Sequence, residues 1–222
     1  MGQGETPSGG SAPPVFTQDF KEEFETLLRW RRDVRRFQTD PLPDGLLDKL
    51  LGLADLSPSV GNSQPWRIVK VEDAERRAGI TAGFEAENKL AQQAYSEDRA
   101  AAYARLKLAG LREAPIHLAV FCDPNPKQGH GVGRRTMPET LAYSVVSMIH
   151  TFWLAARTEG VGVGWVSILN PADVVRTLDV DEHWQLVAYL CVGFPVEEHV
   201  DPELERAGWQ ARTSWKNRLF IR

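Results

Sequence analysis

RWRRDVRRF, Arg29 to Phe37, is a basic knot in a chain that is acidic overall. Arg31 and Arg35 stand four residues apart, as do Arg32 and Arg36. If the preceding helical pattern continues through them, each pair shares one helix face. Guanidinium groups are planar donor forks matched to phosphate oxygens, and clustering them costs repulsion unless an anion is close by. A solvated basic patch, neutralised by Asp33, accounts for the same residues. The other reading is an anion site, with Asp33 a carboxylate held beside the bound ligand. The stretch by itself leaves both open.

Upstream, Phe20, Phe24, Leu27, Leu28 and Trp30 recur near helical spacing, predicting a helix from Phe20 to about Arg32. Before it, MGQGETPSGGSAPP has neither the basic nor the apolar region of a signal peptide, and its Gly, Ser and Pro content reads as a disordered tail. The expected organisation is therefore a tail over 1–18 and one domain over 19–222 with a C-terminal extension. The chain has 222 residues, 42% hydrophobic, enough for one sizeable core. A net charge of −4 argues against nucleic-acid binding, which favours a basic excess. No apolar run approaches the roughly 20 residues needed to span a bilayer. Cys122 and Cys191 each lie in an apolar segment and read as reduced core thiols, so a cytoplasmic location is expected.

Downstream, Asp44 is a plausible N-cap for a helix carrying Leu46, Leu47, Leu50, Leu51 and Ala54, which Ser57-Pro58 ends. WRIVKV alternates like a strand. The stretch from Asp73 to Arg112 predicts two or three helices, and IHLAVFC a strand covered on both faces. Thr136 and Glu139 have capping-box spacing for a long helix to about Glu159, apolar on most sides and so buried in a core or between subunits. GVGVGWVSIL reads as a glycine-rich turn entering a strand, Asn170-Pro171 as a helix start, and LVAYLCVGFP as a last core strand. The polar tail from Val196 carries Trp209, Trp215 and Phe220, which favour wrapping over another surface. Helices on both sides of a small sheet give an α+β or α/β domain.

Two further segments could carry chemistry. In SPSVGNSQPWR, Ser59, Asn62 and Gln64 offer donors and acceptors suited to a heteroaromatic edge and polyol hydroxyls, or to capping their own turn. In GVGVGWVS, small residues would admit a flat ligand, with Ser167 facing it, or simply make a tight connection. Neither glycine run has the strand–GxGxxG–helix context of a dinucleotide fold. The five histidines show no metal-ligand spacing, two distant cysteines cannot build a zinc site, and there is no GxSxG elbow. No metal site is expected.

Taken in order, RRDVRRF, LSPSVGNSQPW, GVGVGWVSIL and VGFP resemble the nitroreductase family, over about Phe20 to Arg212. YARLKLAGLREAP, GRRTMPETLAYSVV and PELERAGWQAR, with aspartate where ordinary members more often carry serine at position 33, are similar to the branch that consumes its flavin. That resemblance implies an α+β, α/β sandwich-like fold with a central, mainly antiparallel sheet flanked by helices, in an intertwined homodimer. It implies oxygen-dependent fragmentation of reduced FMN to 5,6-dimethylbenzimidazole and erythrose 4-phosphate, supplying the lower ligand of cobalamin. FMN and O2 are then the reactants, with NAD(P)H acting only through a separate flavin reductase. By position, Arg31, Arg32, Val34 and Arg35 would hold the phosphate and ribityl region, with Arg212 a second phosphate contact. Ser59, Asn62 and Gln64 would line the site, and Gly164, Trp165, Val166, Ser167 and Leu169 would lie against the ring. Asp33 and Ser167 would be the catalytic pair. The competing expectations are an NAD(P)H-dependent FMN nitroreductase and a non-catalytic flavin-binding protein.

Overall fold

The computed structural model describes residues 13–222. The tail expected over 1–18 therefore lies mostly outside the described residues. Within them, Thr17 caps the first helix by accepting from the Phe20 amide at 3.2 Å. That helix, α1, runs Gln18–Trp30 and is followed by α2 (Leu46–Ala54), β1 (Trp66–Lys70), α3 (Ala74–Gln93) and α4 (Glu97–Ala104). Then come β2 (Ile116–Cys122), α5 (Thr140–Thr158), β3 (Gly162–Val166), α6 (Pro171–Leu178), β4 (Gln185–Gly193) and the short α7 (Glu203–Arg206).

The four strands form one sheet in the order β1-β2-β4-β3, and every neighbouring pair is antiparallel. Alternation along β2 decides the layers. Leu118, Val120 and Cys122 face α5 and α2, whereas Ala119 and Phe121 face α3 and α6. The expected α+β arrangement, an antiparallel sheet with helices on both sides, is what forms. On α5, Leu141, Val145, Met148, Ile149, Phe152 and Ala156 are buried against the sheet. At roughly 1.5–3 kcal/mol for each fully buried large side chain, this helix anchors the first core. Both cysteines are free and buried in the sheet.

Local signals were met differently at several helix starts. α2 begins from Gly45, whose φ of 76° a glycine adopts without strain, and Asp44 does not cap it. The Thr136/Glu139 capping box does not form. The Met137-Pro138 turn intervenes, and α5 begins at Thr140 with Glu139 as an N-cap that makes no side-chain bond. Asn170 does cap α6, accepting from the Ala172 and Asp173 amides.

The larger correction concerns the arginine stretch. α1 stops at Trp30, and the chain from Arg31 is extended. It runs beside the end of the sheet: the Val34 amide donates to the Val163 carbonyl at 3.0 Å, and Gln38 to Phe194 at 2.8 Å. The Val196 amide donates back to the Arg36 carbonyl at 3.1 Å. These bonds replace the intrahelical ones, so Arg31 and Arg35 share no helix face. Of the glycines of GVGVG, Gly160 makes the expected turn with φ of 71°, whereas Gly162 and Gly164 already lie within β3.

Candidate functional site

Asp33 is the centre of the arginine segment. It bridges to Val163, and its Oδ1 accepts from the Trp165 amide at 2.9 Å while Oδ2 accepts from Arg35 Nε at 2.8 Å. Burial pushes this carboxyl above its ordinary value, against the lowering effects of Arg35 and of the Trp165 amide. Ser167 lies two residues beyond Trp165, roughly 7 Å further along the chain, and is exposed. Asp33 is therefore fastened to β3, which ends one residue before Ser167, although Asp33 and Ser167 are 134 positions apart. Val166 is buried and Leu169 packs on the second core beside it.

The same segment explains the glycines. A Cβ on Gly164 would sit 2.1 Å from the Val34 carbonyl oxygen, and one on Gly162 would sit 2.7 Å from the Val34 side chain. The close approach that β3 must allow is thus to the chain itself at Val34.

The arginines divide into two groups. Arg31 lies over the face of Trp153, 4.9 Å from the ring centroid, and Trp153 donates to the Arg32 carbonyl at 3.3 Å. Arg32 donates to the Val200 and Arg31 carbonyls. Burial lowers the pKa of both Arg31 and Arg32, and Arg212 lowers each further, while Asp33 opposes the shift at Arg31. Arg212, distant in sequence, thus lies within electrostatic reach of both. Among the described residues, neither Arg31 nor Arg212 has a carboxylate within 4.0 Å. Half-buried Arg31, with no carboxylate that close, and the exposed Arg212 offer donors that would fit a phosphate dianion. Arg35 is different. Its Nε serves Asp33 and its Nη1 donates to the Lys107 carbonyl at 2.9 Å, which leaves Nη2 for any ligand.

Ser59, Asn62 and Gln64 form a separate cluster. Asn62 and Gln64 have φ of 52° and 42°, a left-handed geometry that costs roughly 1–3 kcal/mol at a residue such as Gln64. Local bonds hold them there: Ser59 Oγ accepts from the Gln64 amide at 3.0 Å, and Gln128 donates to Gln64 Oε1 and to the Asn62 carbonyl. The loop is tied to α5 through Ser57–Thr151 and through the Val60 amide on Ser144. The cleft along the arginine segment is walled by Arg31 to Arg36, Trp153, Arg157 and Gly162, and includes none of these three residues. It holds about 50 Å³, whereas ligand pockets run to several hundred. Within one chain the arginine segment and the Ser59–Gln64 loop thus do not line this cleft together.

Several contributors had no role in the sequence reading. Trp153 supports Arg31, the Lys107 carbonyl takes Arg35, and Glu203 on α7 lies 4.0 Å from Arg35 and 2.9 Å from Arg36. Met137 is exposed in the turn before α5. Of the tail aromatics, Trp209 packs against Tyr95 and Tyr103, whereas Trp215 and Phe220 are exposed.

Comparison with known proteins places this geometry among relatives. The nitroreductase family matches residues 28–194. The 5,6-dimethylbenzimidazole synthase of Rhodospirillum rubrum is 57% identical over 199 residues, covering 90% of this chain and 94% of that protein. A protein of the same name from Rhodobacter capsulatus is 45% identical over 205 residues, covering 91% and 99%. Among solved structures, iodotyrosine deiodinase bound to FMN and 3-iodo-L-tyrosine superposes with a TM-score of 0.69 at 22% identity, covering 89% of this chain and 97% of that one. That last likeness carries the fold alone.

Proposed function

The chain belongs to the nitroreductase family, and from that premise we propose that it fragments reduced FMN with O2, yielding 5,6-dimethylbenzimidazole and erythrose 4-phosphate, with the remaining pyrimidine portion of the ring leaving as a third, oxygenated product. The first product would serve as the lower ligand of cobalamin. The observation that carries this reading is 57% identity across 90% of the chain to a protein named for making that benzimidazole. The aspartate at position 33, bonded to Trp165 on the strand leading to Ser167, supports it.

In this reading Arg31, Arg32 and Arg212 hold the phosphate, and the charge they concentrate orients the whole substrate. Asp33 keeps a lone pair on each oxygen beyond its two existing bonds, so it can take or return a proton beside the ribityl chain. Ser167, one residue past the end of β3, positions the ring and relays a proton. Gly164, Trp165, Val166 and Leu169 provide the wall against which the ring lies, while Val34 shapes it from beneath. Ser59, Asn62 and Gln64 come from a second copy, which makes the working unit a homodimer and closes the site against water. Bound reduced flavin supplies the electrons that activate O2. A separate reductase using NAD(P)H supplies that flavin in the cytoplasm.

The exposed stripe of Phe16, just before α1, and Phe20, Phe24 and Leu28 on it supports association, because a monomer leaves it in water. The experiment is to replace Asp33 by Asn and Ser167 by Gly. Each variant should bind FMN as the parent does and lose benzimidazole formation. Undiminished product from either removes that residue from the chemistry. Turnover of nitro compounds with NADPH, without benzimidazole, would instead establish an ordinary nitroreductase.

A further inference from the structure

We propose that Glu203 is a positioning residue: from the C-terminal turn it braces Arg35, and through Arg35 it sets the orientation and charge of Asp33. The inference rests on the proposed role of Asp33, and its test is separable from that role.

Glu203 lies 168 positions from Arg35, and its side chain is only 17% exposed. Oε1 accepts from Arg36 Nη1 at 2.9 Å, and Oε2 lies 4.0 Å from Arg35 Nε. Arg35 is 11% exposed and spends two of its donor groups on Asp33 and on the Lys107 carbonyl. One guanidinium thus joins the extended segment, the loop around Lys107 and the C-terminal turn. A nearly buried carboxylate on a four-residue helix, with Arg36 already partnered by Glu197, is a costly way to secure a tail, because desolvating a charge must be offset by its partners. Its placement against Arg35 gives it a second use: it limits the rotations open to the guanidinium that holds Asp33 Oδ2.

The groups facing Asp33 come from three elements besides its own segment, which carries Arg31 and Arg35. The Trp165 amide belongs to β3, the Cys191 thiol to β4, and Glu203 to α7. Cys191 stays neutral, since burial pushes its thiol to about 12. Of the charged groups on Asp33, Arg35 favours the carboxylate and Glu203 opposes it. The pair therefore acts on one carboxyl with opposite signs. A glutamate that only fastened the tail would change stability and leave the titration of Asp33 in place.

The test uses full-length protein with 13C-labelled aspartate carboxyls, and the Asp33 resonance is identified by its loss in Asp33→Asn. Glu203→Gln should titrate Asp33 at lower pH than the parent. Arg35→Gln should titrate it higher, by ~1 pH unit or more. Glu203→Asp, which keeps the charge, should restore the parent midpoint. Thermal melts of each variant establish that it is folded. Midpoints that move in the same direction, or a Glu203→Gln midpoint equal to the parent's in a folded protein, overturn the proposal. Because this readout needs no flavin, it stands even if no benzimidazole is formed. Where benzimidazole is formed, the acid limb of its pH profile should move with the same signs.

Discussion

Replacing Gly164 by Ala should cost about 2.5–4 kcal/mol, and the structure states why. The added Cβ would lie 2.1 Å from the Val34 carbonyl oxygen, where ordinary contact begins at 3.4 Å. Gly164 cannot retreat, because it pairs with Cys191 inside the sheet. The extended segment must therefore move back by about 1.3 Å to restore ordinary contact, and two bonds depend on its position. One is Val34 N–H to Val163 O at 3.0 Å, and the other is the Trp165 amide to Asp33 Oδ1 at 2.9 Å. A neutral bond contributes about 1 kcal/mol and one to a carboxylate about 1.5–3. For a domain of this size the loss lowers the melting temperature by roughly 10 °C. Calorimetry at fixed protein concentration measures it, since association would otherwise shift the midpoint. Gly83→Ala is the control, because Gly83 is helical with nothing within 4 Å, and alanine there should add ~0.5–1 kcal/mol. If Gly164→Ala melts within about 2 °C of the parent, the segment does not rest on β3 as described.

His117 carries a second prediction. Burial chiefly, and Arg77 secondarily, lower its pKa to about 4, whereas the unfolded chain titrates near 6.5. The unfolded state binds the extra proton between those values, so stability is complete above about 6.5 and falls by ~3 kcal/mol as pH drops to 4. The stability gap between the parent and His117→Gln should narrow by that amount from pH 7 to 4 in urea titrations, and a constant gap would refute it. At the arginine pair, Arg31→Ala should weaken FMN binding by roughly 10–100-fold, the worth of a charge-assisted contact. Riboflavin, which lacks the phosphate, should bind as before. Equal losses for the two ligands would mean that Arg31 does not serve the phosphate.

Much of the scaffold was legible because its causes are local. IHLAVFC is apolar except for His117, and β2 sits between β1 and β4 with a core on each face. Asn170-Pro171 starts a helix because Asn170 accepts the first amides. α5 reads as buried because Val145, Met148, Ile149 and Phe152 all face the sheet. The arginine segment misled because nothing nearby in sequence marks it as extended. Its partners, Val163 and Phe194, lie more than 120 positions away. The glycines of β3 were legible as a close approach, but their neighbour Val34 was not. Asp33 and the arginines proposed to hold the phosphate were named from the resemblance, whereas the contacts of Trp153 and Glu203 needed the three-dimensional structure. Glu203 stood within PELERAGWQAR as an undistinguished acidic residue. Its meaning depends wholly on where the tail returns.

The most direct measurement supplies the protein with chemically reduced FMN, admits oxygen, and follows the products by mass. The account predicts 5,6-dimethylbenzimidazole at the expense of flavin, absent in the Asp33→Asn variant. Recovery of intact FMN as the sole flavin-derived product would contradict it.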